Sequence, residues 1–156
     1  MPATPPEIPG VIAPPPLLYV VPLSVGLLIQ HASPIAFLPP RIGTPVGIAL
    51  VVLWILLSVA AIREFRRAGT SVNPTRPTST LVTSGPYRFT RNPMYVSLTL
   101  MYLGVTLWAN ALWPLLVLPI VLVVMQRGVI AREERYLEAT FGDEYRRYTG
   151  QVRRWF

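Results

Sequence analysis

The stretch Gly43-Thr44-Pro45-Val46-Gly47-Ile48-Ala49-Leu50-Val51-Val52-Leu53-Trp54-Ile55-Leu56-Leu57-Ser58-Val59-Ala60-Ala61-Ile62 contains no charged residue in twenty positions. As a helix rising about 1.5 Å per residue it is about 30 Å long, the thickness of a bilayer's hydrocarbon core. Its reading as a membrane span sets the solvent for the rest of the chain. Hydrophobic residues make up 52% of the 156 and charged ones 13%, too apolar for an ordinary soluble domain of one-domain length.

Working outward, Leu17 to Leu38 is a second apolar segment, interrupted by Pro22, Gln30, His31 and Pro34, and reads as a kinked span. Pro39 and Pro40 break it from the firm span. Residues 1–16 are rich in proline with no basic residue, which predicts a flexible, partly polyproline tail rather than a cleavable signal. On the other side, Met94 to Trp108 and Leu112 to Met125 form an apolar hairpin divided by Ala109-Asn110-Ala111. Trp108 and Trp113 suit the interface at its tip. The arms have fifteen and fourteen residues, about 22 Å of helix, so the pair is expected to thin the bilayer or stop short of crossing it.

The expected fold class is therefore all-α: a polytopic membrane helical bundle of about four spans, the last two a hairpin, followed by an amphipathic C-terminal helical tail. In that tail Ile130, Glu134, Leu137, Phe141, Tyr145 and Tyr148 recur every three or four residues, and Phe141-Gly142-Asp143 predicts two short helices rather than one. Three units follow: a tail over 1–16, two spans over 17–62, and a core over 63–156.

Every basic residue is an arginine, and thirteen of the fourteen fall between Arg63 and Arg91 or from Arg127 onward. They flank apolar segments and trace no groove, which argues for membrane topology over nucleic acid and puts both blocks and both termini on the cytoplasmic side. The absence of cysteine excludes disulfides and thiolate chemistry, and one histidine, His31, argues against a metal site. An integral protein of a bacterial inner membrane is expected.

Two polar blocks about forty residues apart are brought to one membrane face by the hairpin. The first is Ser84-Gly85-Pro86-Tyr87-Arg88-Phe89-Thr90-Arg91-Asn92-Pro93-Met94-Tyr95 and the second contains Glu133-Glu134. Asn92-Pro93 is a helix-entry signal, but Arg91 beside it and Tyr95 one turn inside supply a guanidinium and a phenol next to free helix amides, a fit for a carboxylate. Tyr87 suits either ring stacking or the membrane interface. Glu134 lies on the apolar stripe, so it needs a partner: a ligand, or a structural ion pair with Arg88, Arg91 or Arg127. Glu133 points about 100° away, toward another part of the same pocket.

Leu81-Val82-Thr83-Ser84-Gly85-Pro86-Tyr87, Arg91-Asn92-Pro93-Met94-Tyr95, Glu133-Glu134 and Phe141-Gly142-Asp143-Glu144-Tyr145 with Tyr148, in that order around an apolar hairpin, resemble the isoprenylcysteine carboxyl methyltransferase family and its relatives among phospholipid N-methyltransferases. The resemblance covers about Arg63 to Phe156. It implies an S-adenosylmethionine-dependent methyltransferase with a cytosol-facing cofactor pocket and a lipophilic small-molecule or lipid acceptor arriving from the membrane lipids, with no nucleic acid or metal. By resemblance, Leu81, Val82, Tyr87, Asn92, Pro93, Met94, Tyr95 and Glu133 are cofactor contacts, Arg91 stands at the junction of cofactor and acceptor, and Glu134 supports it, paired with an arginine. Asn92 stands where eukaryotic members carry histidine, which removes a titratable base from that position. Gln151 and Arg153 depart from the basic residue and proline common near the C-terminus of relatives. The competing readings are a membrane reductase with a nicotinamide cofactor and a non-enzymatic adaptor whose arginines bind anionic lipid.

Overall fold

The computed structural model describes residues 8–74 and 76–155. Its helices are α1 (Pro15–Ala32), α2 (Pro40–Arg67), α3 (Pro93–Trp108), α4 (Leu112–Met125), α5 (Ala131–Phe141) and α6 (Asp143–Gln151), with a single 3-10 turn over Gly85–Arg88. No strand occurs among the described residues. The chain is an all-helical polytopic bundle. Proline opens α1, α2 and α3 within the first turn, where its missing N–H leaves no helical bond unmade.

Close backbone approach joins α2 to α3. A Cβ on Gly47 would lie 2.5 Å from the Trp108 nitrogen, and one on Gly104 would lie 2.9 Å from the Gly47 carbonyl oxygen. Glycine lets two apolar helices touch where lipid offers no hydrophobic drive to pack them. Ser58 Oγ donates to Ser97 Oγ across the same interface at 3.0 Å. Helix α1 contacts both arms of the expected hairpin: Tyr19 shares a 2.9 Å hydroxyl bond with Thr99 and meets Tyr102 edge to face, and Gly26 abuts Pro114. Tyr102 OH donates to the Pro114 carbonyl at 2.8 Å, tying α3 to α4. Outward, Val52, Leu53, Leu56 and Val59 of α2 are exposed, which suits a lipid solvent.

The second arm of the hairpin is not short. A π turn over Gln126–Ile130 carries α4 into α5, giving one helix of 30 residues from Leu112 to Phe141. The residues after Met125 are mostly good helix formers, and nothing stops them until Gly142 at φ 52°. Helices α1, α2 and Leu112–Phe141 are long and apolar enough to span a membrane, whereas α3, at 16 residues, is apolar but short. The break at Phe141-Gly142-Asp143 separates α5 from α6 as the sequence predicts.

Of the expected flexible tail, residues 1–7 lie outside the described residues; from residue 8 the chain packs against the π turn. Ile12 N–H donates to the Gly128 carbonyl at 3.3 Å, and Arg132 donates to the Gly10 carbonyl at 2.8 Å. Val11 packs against the core and the Ile12 side chain lies over Gly128, so apolar contacts accompany these hydrogen bonds. At the far end Asn110, in the left-handed region at φ 47°, accepts from the Phe37 and Leu38 amides and donates to the Leu38 carbonyl. Trp113 donates to the Ser33 carbonyl at 2.9 Å. Both helix-connecting tips therefore sit at one end, and residues 63–92 and 126–155 meet at the other.

Candidate functional site

At that second end, the chain from Thr78 to Tyr95 is laid against α5 and α6. The turn at Ser84-Gly85 is held by Glu64: Ser84 Oγ donates to its carboxylate, and Gly85, at φ 59°, leaves no room for a Cβ, which would lie 2.7 Å from Glu64 Cγ. Tyr87 is buried edge to face with Phe65 and offers its carbonyl to Tyr148 OH at 2.7 Å, so it packs inside the protein and not at the membrane surface. Tyr136 OH accepts from the Thr78 amide at 3.0 Å, fixing the start of the 78–82 segment.

These segments enclose a cavity of about 110 Å³. Leu81, Val82, Tyr87, Arg91, Asn92, Met94, Tyr95, Glu133 and Glu134 all line it. Pro93 does not; it is fully buried and starts α3. The two polar blocks thus meet around one space. Tyr95 OH donates to Glu133 Oε1 at 2.6 Å, the shortest link between them. Glu133 is half-buried. Burial raises the phenols of Tyr87, Tyr145 and Tyr148, Tyr145 to about 12, so all three are neutral hydroxyls.

Glu134 is an ion-pair partner. Its Oε1 lies 3.2 Å from Arg91 Nη1, and Arg154 pairs with both oxygens, Nε to Oε1 at 2.9 Å and Nη2 to Oε2 at 2.5 Å. Of the three arginines the sequence suggested for it, only Arg91 is within reach among the described residues, and the principal partner is one the sequence did not suggest. Arg91 also reaches Tyr145 OH at 3.4 Å, while its buried Nε finds no acceptor among the described residues. Asn92 sits at the N-cap of α3 without capping it; its Nδ2 donates to the Arg154 carbonyl at 2.9 Å.

Sequence reasoning missed Phe65, Asn73, Thr78, Tyr136 and Arg154. Tyr136 falls off the apolar stripe because it faces the 78–82 segment instead of the helical bundle, and the loop residues carry no periodicity to mark them. Arg154 is one arginine among seven in its block, with no local signal for its partner.

The sequence model of the family described as phospholipid methyltransferase matches residues 42–144. A protein of Haemophilus influenzae, described as uncharacterized, is 52% identical over 62 residues, 40% of this chain and 98% of that protein. The cobalt-zinc-cadmium resistance protein CzcN of Cupriavidus metallidurans is 40% identical over 76 residues, 47% of this chain; the match spans only 35% of CzcN. No solved structure matches.

Proposed function

The chain belongs to the phospholipid methyltransferase family, and from that premise we propose that this membrane methyltransferase uses S-adenosylmethionine to methylate a lipophilic carboxylate, thiol or amine at the cytoplasmic leaflet. The observation that carries the reading is the single cavity in which the Arg91–Tyr95 corner and Glu133-Glu134 meet, 38 residues apart in the Tyr95 to Glu133 bond.

The residues present fit the cofactor. The orphaned Arg91 Nε is a buried cationic donor suited to a carboxylate, Leu81, Val82 and Met94 give apolar walls, Tyr87 presents an aromatic ring, and Glu133 and Asn92 offer polar partners for hydroxyl and amino groups. S-adenosylmethionine supplies a sulfonium-activated methyl group for in-line displacement, which needs no covalent enzyme intermediate. The work left to the chain is positioning and exclusion of water. Arg91 orients, and the tyrosine-rich wall of Tyr87, Tyr145 and Tyr148 closes the space. Asn92 supplies no base. Glu133, bonded to a phenol at the cavity, is the base available to an amine acceptor, whereas a carboxylate or thiolate acceptor needs none.

Titrating detergent-solubilised protein with S-adenosylhomocysteine tests the reading. Saturable binding that Glu133→Ala abolishes supports the transferase. Binding of a nicotinamide dinucleotide instead favours the reductase alternative, and binding of neither favours the adaptor. Native membranes incubated with radiolabelled S-adenosylmethionine then identify the acceptor through the labelled extract.

A further inference from the structure

Resting on the reading of the cavity as the cofactor site, we propose that Arg154 is a positioning residue that keeps Arg91 available to the anionic group of the ligand by occupying both oxygens of Glu134. A carboxylate next to two guanidiniums pairs most strongly with the one that presents its planar fork. Here that fork is Arg154's, with contacts at 2.9 and 2.5 Å. Arg91 keeps one longer contact of 3.2 Å to the same carboxylate, and its Nε, buried at the cavity wall, has no acceptor among the described residues. Were Glu134 released from Arg154, its nearest strong partner would be Arg91, and a paired Arg91 offers less to a carboxylate arriving from solution.

The main chain fixes Arg154 for this task. Its carbonyl accepts from Thr90 Oγ1 at 3.1 Å and from Asn92 Nδ2 at 2.9 Å, and the Arg153 carbonyl accepts the Arg91 amide at 3.0 Å. Trp155 Nε1 donates to Gln126 Oε1 at 3.3 Å, anchoring the same strand of chain to the π turn. The residues on both sides of Arg91 therefore set where Arg154 stands. Its side chain is 41% exposed against 15% for Arg91 and 17% for Glu134, so it reaches inward from the surface and leaves the cavity wall to Arg91.

A staple that merely pins residues 153–155 would show the same bonds, and the distinction lies in charge. Calorimetric titration of the full-length, detergent-solubilised protein with S-adenosylhomocysteine is run on wild type, R154A, E134Q and R154A/E134Q, with thermal unfolding recorded for each. R154A is expected to weaken binding about tenfold, the scale of one charge-assisted hydrogen bond. E134Q, which keeps an acceptor for Arg91 but removes the competing charge, is expected to bind at least as tightly as wild type. The double variant is expected to return to within about threefold of wild type, the non-additivity of coupled residues. If R154A does not fold, R154K, which keeps the charge without the fork, carries the test with an expected loss of about threefold. Equal binding by wild type and the Arg154 variants, or a double variant as weak as R154A, overturns the inference while leaving the functional reading standing. No binding by wild type overturns the functional reading and this inference with it.

Discussion

The α2–α3 interface and the cavity end of the bundle are held together by opposite means. In the first, Gly43, Gly47 and Gly104 bring two backbones into contact and a side-chain hydrogen bond joins Ser58 to Ser97 between them. In the second, Glu64, Glu133, Glu134, Arg91 and Arg154 are tied to one another, to hydroxyls and to carbonyls across intervals of 20 to 64 residues. Shape stabilises the lipid-facing part and directional polar bonds stabilise the part that emerges from it. The first should tolerate no added atom; the second should tolerate no lost polar partner.

Gly47→Leu is the severest way to break that contrast. Its Cβ alone meets the Trp108 nitrogen at 2.5 Å and the Gly104 oxygen at 2.7 Å, backbone atoms that cannot rotate aside, so a loss of about 3 kcal/mol or more is expected in thermal unfolding, unchanged between pH 5 and 8. Glu133→Gln probes the other end. It removes the charge that Tyr95 OH meets at 2.6 Å, and it should abolish methyl transfer from radiolabelled S-adenosylmethionine while thermal unfolding stays cooperative.

Arg91→Ala should lower methyl transfer about 100-fold, on the scale of removing one preorganised donor from a reaction site. Because Arg154 still pairs with Glu134, unfolding should shift far less than activity, and equal losses in both would make Arg91 a structural residue. Arg146→Ala is the mildest: its partners Asp143 and Glu138 are exposed, so thermal unfolding should stay close to that of wild type and any difference should vanish at high salt, showing that polar bonds matter only where the cavity shields them.

Much of this contrast was legible beforehand. The run from Gly43 to Ile62 reads as a span because nothing in it competes for water, and Arg91-Asn92-Pro93-Met94-Tyr95 reads as a helix entry carrying polar groups. Glu134's need for a partner was equally plain. Its choice of Arg154 was not, since the chain must fold back through α6 to bring residue 154 beside residue 134. The continuity of α4 into α5 was hidden for a different reason: a change from apolar to charged residues looks like an end of a span, yet the hydrogen bonds of a helix do not depend on it.

Composition, period and the placement of arginines determined that this chain is a helical membrane protein with its polar blocks at one end, because burial in lipid is a property each segment carries by itself. The tertiary structure alone decided which glycines touch, which arginine takes Glu134, and that Tyr95 reaches Glu133, because those contacts exist only after separate helices have packed and their distances have become fixed.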